Sequence, residues 1–260
     1  MLRRGISAIV YLLFSLAAAS TNAENIASII IDDIGNNFER GKAVIDFPAP
    51  VTLAILPNTT YSKALANIAY KNNKEVMLHL PLQSVEYHVA TPGTLLLHMT
   101  RKQFAEQLRR DIASVHHIKG INNHMGSLLT RHPGHMNWLM REIALNDSLY
   151  FVDSRTTEKS VAAGIATEYG IPNLSRDIFL DPDNTYQTLR NQFSHLIAVA
   201  RARGYAVAIA HPYPGTLKFI RDHLDELQQQ GIKIVPVSEL IARTQEKQHV
   251  TCTGTTCAGM

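Results

Sequence analysis

Ile26-Ala27-Ser28-Ile29-Ile30-Ile31-Asp32-Asp33-Ile34-Gly35 is an apolar, largely β-branched run closed by two carboxylates and a glycine. Such a run reads as a buried parallel strand, because a strand covered on both faces needs no polar alternation. Comparable short apolar runs recur at residues 51–56, 76–80, 150–152, 206–210 and 233–237. Helical stripes lie between them. Thr100 with Gln103 makes a capping box, followed by Phe104, Leu108 and Ile112 on one face. Met136, Leu139, Met140 and Ile143 form a second stripe, Leu189, Phe193, Leu196 and Ala200 a third, and Leu217, Ile220, Leu224 and Leu227 a fourth. Gly204 and Gly231 stand where helices end ahead of a strand. Alternating strands and helices imply an α/β fold with a mostly parallel sheet, open or closed into a barrel. With no linker and no repeat period, the alternation describes a single domain over residues 24–245.

The flanks read differently. Residues 1–23 carry Arg3 and Arg4, an apolar run, and small residues ending in Ala23, the pattern of a secretory signal peptide. The run is shorter than a membrane span requires. The mature chain is therefore expected to be periplasmic or secreted, with no stable membrane insertion once the signal is cleaved. Residues 246–260 form a polar tail, expected to be disordered, in which Cys252 and Cys257 could close a small disulfide loop in an oxidising compartment.

Of the 260 residues 45% are hydrophobic and 18% charged, which fits one sizeable core and excludes a disordered chain. The formal charge of +3 falls to +1 once residues 1–23, with two arginines and no acid, are removed. Nothing in so even a balance calls for a nucleic-acid partner. Two cysteines exclude a disulfide scaffold or a cysteine-rich zinc module, whereas twelve histidines are a surplus. Zincin, nucleophile-elbow, phosphate-loop and dinucleotide motifs are all absent from the sequence.

The chemically useful residues gather at strand ends, where parallel α/β folds build their sites. Asp32 and Asp33 close the first strand, and His79 stands in Met77-Leu78-His79-Leu80-Pro81. His124 stands in Ile121-Asn122-Asn123-His124-Met125-Gly126-Ser127, Asp153 in Phe151-Val152-Asp153-Ser154-Arg155, and His211 in Ile209-Ala210-His211-Pro212. Two adjacent carboxylates repel, a cost relieved when one binds a cation and the other stays as a general base. Neutral imidazoles supply nitrogen ligands to zinc or a related divalent ion, and a histidine left off the metal can protonate a leaving group. Each residue also has an ordinary alternative: an aspartate capping the next helix, His79 as a satisfied core histidine, His211 as a turn residue. A glycosidase is disfavoured, since adjacent carboxylates do not flank a sugar ring from opposite faces without Asp153 as partner.

In order, Ile29-Ile30-Ile31-Asp32-Asp33-Ile34-Gly35, Leu53-Ala54-Ile55-Leu56-Pro57, His79-Leu80-Pro81-Leu82, Asn123-His124-Met125-Gly126-Ser127, Phe151-Val152-Asp153-Ser154 and Ala210-His211-Pro212 resemble the divergent polysaccharide deacetylase family. The resemblance covers nearly the whole mature chain. It implies the distorted (β/α) barrel of NodB-type carbohydrate esterases and metal-dependent removal of acetyl groups from N- or O-acetylated sugars. The substrate would be a cell-envelope polysaccharide or peptidoglycan-type glycan. It also implies Asp32 as base, Asp33 and His79 as ligands, and His211 as acid. Two departures stand out. Gln83 occupies the place of a second histidine in His-x-x-x-His-Pro, leaving His124 as the candidate third ligand, and the Arg-x-Pro segment that steadies the base is missing, with Asp153 or Arg155 as its candidate substitutes. A family that rearranges its metal-capable residues also admits a catalytically inactive glycan-binding or envelope-assembly protein.

Overall fold

The computed structural model describes residues 24–86, 91–146 and 148–254, with side chains to residue 246. The export segment 1–23 and Cys257 lie outside the described residues, and Cys252 lies beyond the described side chains. The first half contains β1 (Asn25–Ile34), α1 (Phe38–Ile45), β2 (Thr52–Ile55), α2 (Ser62–Lys71), β3 (Val76–Leu82), α3 (Arg101–Ser114), β4 (Ile118–Met125) and α4 (Pro133–Ala144). The second half adds β5 (Tyr150–Asp153), α5 (Ala162–Glu168), β6 (Asn173–Ser175), β7 (Ile178–Phe179), α6 (Tyr186–Arg203), β8 (Tyr205–Ala210), α7 (Pro214–Asp222), α8 (Leu224–Gln229), β9 (Ile232–Ile234) and α9 (Val237–Gly254).

The strands form one parallel sheet in the order β6-β5-β4-β3-β2-β1-β8-β7, with β9 alongside the start of β1. β6 and β7 stand at opposite ends of that order, yet only Arg176 and Asp177 separate them. The three steps from Ser175 to Ile178 span roughly 10 Å at full extension, so the sheet must curl until its edges meet. The changeover happens within one peptide: Arg176 N–H donates to Asp153 O of β5 at 2.9 Å, and Asp177 N–H donates to Val207 O of β8 at 2.9 Å. The sheet is thus a distorted barrel whose seam runs through Arg176.

The period of two then sorts each strand into an outer and an inner face. Ala27, Ile29 and Ile31 pack outward with Leu65, Phe104, Met136 and Leu139 of the helices. Ile26 and Ile30, with Ala54, Met77, Val152, Val207 and Ile209, fill the barrel interior, closed from below by Leu240 and Ile241 of α9. The capping box at Thr100 and the left-handed cap at Gly204 (φ 85°) are present as read. Asn37, not Asp32 or Asp33, caps α1. The fourth stripe is two helices rather than one, because His223 leaves helical backbone (φ −114°, ψ 11°) and its Nδ1 donates to Phe219 O at 2.8 Å. α9 runs on beyond residue 245 into the segment expected to be a disordered tail, through Gln245, Glu246, Lys247 and Gln248, all good helix formers; residues 255–260 lie outside the described residues.

Candidate metal centre

The inner face of the barrel carries the site. Asp32 follows Ile30 on the inward register of β1, His79 follows Met77 on β3, and His124 follows Asn122 on β4. His211 lies one register step beyond Ile209 on β8. Asp33 should by the same parity point outward. It takes left-handed backbone instead (φ 58°), at the register shift between Ile31 and Ile34 where β1 pairs with β2. The bulge turns its carboxylate back toward the mouth of the barrel, a conformation that aspartate tolerates better than bulkier residues.

Five side chains converge there. Asp33 Oδ1 is 3.2 Å from His79 Nε2 and 3.0 Å from His124 Nδ1, and His124 Nδ1 is 3.2 Å from His79 Nε2. Asp33 Oδ2 lies 3.7 Å from His211 Nε2, and Asp32 Oδ2 lies 3.6 Å from His79 Nε2. Burial would raise the Asp33 carboxyl, but His124 and His79 outweigh it and hold the group far below the usual carboxylate range. Burial would lower His79, yet Asp32 and Asp33 lift it to about 9. For Asp32 burial dominates and raises its pKa, with His79 and Asn122 opposing. The cluster therefore demands positive charge, from protons or from a cation that displaces them.

The residues fit a cation. Asp33 Oδ1 is buried without a well-formed hydrogen bond although two imidazole nitrogens face it, and ligand atoms of Asp33, His79 and His124 all lie within 4.8 Å of one another. One carboxylate and two imidazoles form a donor set that suits zinc or a similar divalent ion with open positions.

Partners behind this set fix its orientation. Asn122, fully buried, accepts from His79 Nδ1 at 2.8 Å through Oδ1 and donates from Nδ2 to Asp32 Oδ1 at 2.9 Å. Asp181 Oδ1 accepts from His211 Nδ1 at 3.0 Å. Burial would lower His211, but Asp181 and the two site aspartates outweigh it and raise it above its ordinary value.

Asp153 is not where a reacting group would be. It follows Phe151 on the outward register of β5, and its oxygens accept from Arg155 N–H at 2.9 Å and Ser160 Oγ at 2.7 Å. The expected catalytic part for Asp153 is therefore a loop-fixing one. Nor does Asp153 steady the base; Asn122 holds Asp32. Arg155 reaches the cavity wall, as does Arg176. Sequence reading passed over Asn122, Asp181 and Arg176. The i, i+2 relation of Asn122 to His124 was a usable signal, whereas Asp181 follows a strand of only two residues.

The cavity has a volume of about 430 Å³ and is lined by the aspartates and histidines together with Ser154, Arg155, Arg176 and Phe179.

Residues 29–241 match the family described as divergent polysaccharide deacetylase. The chain is 34% identical over 232 residues to an uncharacterized protein of Haemophilus influenzae, covering 88% of this chain and 82% of that one. It is 30% identical over 230 residues to the uncharacterized protein YibQ of Escherichia coli, covering 88% and 72%. A crystal structure of an uncharacterized protein from Agrobacterium tumefaciens superposes with a TM-score of 0.80 at 25% identity, over 85% of this chain and 91% of the other. In fold alone, the chain is similar to the peptidoglycan deacetylase PdaC of Bacillus subtilis (TM-score 0.53, 12% identity, 89% and 98% covered). The same holds for a CE4 family pseudoenzyme of Bacillus anthracis (0.51, 13%, 84% and 66%). The curled sheet is thus the NodB-type barrel expected from the resemblance.

Proposed function

This chain belongs to the divergent polysaccharide deacetylase family, and on that premise we propose that it is a metal-dependent hydrolase removing acetyl groups from N- or O-acetylated cell-envelope polysaccharide. The observation that carries the reading is the convergence of the orphaned Asp33 Oδ1 with His79 and His124 beside a second, separately held carboxylate. A divalent ion bound by Asp33, His79 and His124, zinc by its donor set, supplies Lewis-acid polarisation of the acetyl carbonyl and a more acidic water.

The protein groups do the rest. Asp32, raised by burial and oriented by Asn122, takes the proton of the attacking water. His211, its Nδ1–H committed to Asp181, carries a proton on Nε2 toward the cavity and gives it to the leaving amine or alkoxide as the C–N or C–O bond breaks. The products are acetate and the free amino or hydroxyl sugar. Base and acid are separate groups around one site, Asp32 beside His79 and His211 beside Asp33. Export through residues 1–23, read from the sequence, brings the protein to periplasmic or secreted glycans.

The test is acetate release from N-acetylglucosamine oligomers by zinc-loaded protein. Asp32→Asn is expected to lower the rate by ~10²-fold or more, and His79→Ala to abolish it with loss of metal. Metal binding without acetate release from any envelope glycan supports the inactive glycan-binding reading instead; release untouched by both substitutions overturns the site.

A further inference from the structure

One part of the cavity wall has chemistry that deacetylation alone does not use. Ser154 is 5% exposed and lines the cavity, and its Oγ is buried without a hydrogen-bond partner. Beside it, Arg176 donates from Nε to Ser154 O at 2.6 Å and from Nη2 to Arg155 O at 2.8 Å, and its Cζ lies 5.3 Å from the Phe179 ring centre. These contacts brace the guanidinium at the barrel seam, and among the described residues Nη1 makes no hydrogen bond. Arg155, on the same wall, takes left-handed backbone (φ 45°), its N–H tied to Asp153 Oδ1.

The two guanidinium groups are unpaired by the acids nearest in sequence. Asp153 is spent on Arg155 N–H and Ser160, and Asp177 on Arg203 and the Val207 N–H. Among the described residues neither Arg155 nor Arg176 forms an ion pair with a carboxylate. Burial pushes Arg176 below its usual range; Asp32 is the strongest charge acting against that shift, the like charge of Arg155 adds to it, and Asp153 and Asp177 oppose it more weakly. A half-buried guanidinium with no ion pair and an unsatisfied buried hydroxyl on one wall are costly unless a ligand completes them.

We propose that Ser154, Arg155 and Arg176 form an anion subsite, and that the glycan acted on carries a carboxylate near its acetylated position. A carboxylate accepts from the Ser154 hydroxyl and from the guanidinium groups together, the arrangement in which charge-assisted hydrogen bonds are strongest. The substrate class is then an acidic acetylated sugar rather than a neutral one. This rests on the deacetylase reading for the position of the acetyl group, but its test reads binding, not turnover.

Zinc-loaded full-length mature protein is titrated with N-acetylmuramic acid and with N-acetylglucosamine, which share the acetamido ring and differ by a carboxylate-bearing ether. The acid is expected to bind ~10-fold more tightly. Ser154→Ala and Arg155→Gln, each checked for an unchanged melting temperature, are expected to shrink that ratio toward one chiefly by weakening the acid. Arg176→Lys serves as a second arm, keeping the charge while losing the fork. Equal binding of the two sugars overturns the subsite. So does a preference that survives both Ser154→Ala and Arg155→Gln, which places the carboxylate on the metal. A failed acetate assay with an intact binding preference strikes the deacetylase reading alone.

Discussion

Asp181 holds His211 at both ends: Oδ1 lies 3.0 Å from the ring Nδ1, and Oδ2 accepts the His211 backbone N–H at 2.9 Å. Thr216 Oγ donates to the same Oδ2 at 2.9 Å, so the carboxylate is fixed before it fixes the imidazole. Asp181 is among the causes that raise His211, and a raised histidine stays protonated to higher pH. Asp181→Asn removes that support, so the alkaline limb of kcat/KM is expected to move toward lower pH, with a loss of ~10-fold or more at pH 8. A pH–rate profile measures it. An alkaline limb that stays in place would show that another group supplies the proton.

Asn122 links the base to a ligand without touching the reacting atoms. Its Oδ1 can only accept, so His79 keeps its proton on Nδ1 and presents Nε2 to Asp33 and His124. Asn122→Leu removes that constraint and leaves Asp32 without its amide donor. Metal affinity is expected to fall ~10–100-fold, read by competition with a chromogenic chelator. The His79 tautomer, read by nitrogen NMR on the metal-free protein at about pH 10, above the value near 9 to which the two aspartates lift it, should become mixed. Unchanged affinity together with an unchanged tautomer would remove Asn122 from its positioning role.

Much of this was legible in the sequence because strand ends and inward registers leave local marks. Asp32, His79, His124 and His211 each follow an inward-facing residue at a spacing of two, and the barrel gathers them. The same parity excludes Asp153, which shares the outward register of Phe151. Asp33 breaks parity through a bulge, and a bulge carries no signature beyond an aspartate able to adopt positive φ. The changeover at Arg176 was hidden for another reason. β6 has three residues and β7 two, too few for any periodicity, and their partners are set by the curl of the sheet. Asp181 follows directly from that hidden seam.

Gly120 makes room for a plug at the opposite end of the barrel. A Cβ there would stand 2.2 Å from Tyr150 Cε2, and Tyr150 cannot swing aside easily because its hydroxyl donates to Glu75 Oε1 at 2.8 Å. Glu75 also accepts from Thr52 Oγ at 3.1 Å and from the Ser238 N–H at 3.1 Å, tying the start of α9 to the sheet. Gly120→Ala is therefore expected to destabilise by ~1–3 kcal/mol, with metal affinity unaffected. Combining it with Tyr150→Leu should cost less than the two single changes together, by about 1 kcal/mol. Urea unfolding of the four proteins tests this; additive losses would mean that the ring does not oppose the new methyl group.

Asp111 gives stability an opposite pH dependence to that of an ordinary paired carboxylate. It is fully buried on the inner face of α3, Oδ1 accepts from Asn58 Nδ2 at 2.7 Å and Gln107 Nε2 at 2.8 Å, and among the described residues Oδ2 has no partner. Burial pushes its pKa up from 3.8 to about 7, against those two hydrogen bonds. Between those values the unfolded chain has released a proton that the folded chain retains, so stability falls as pH rises and the penalty is complete above about pH 7. The gap corresponds to ~4 kcal/mol at most. Asp111→Asn keeps the accepting oxygen and removes the charge. It should match the parent protein near pH 4 and exceed it by ~2–4 kcal/mol at pH 8. Urea midpoints taken across that range decide the matter: parallel curves for the two proteins would mean that Asp111 ionises freely in the fold, and a gap that opens with pH assigns the buried proton to it.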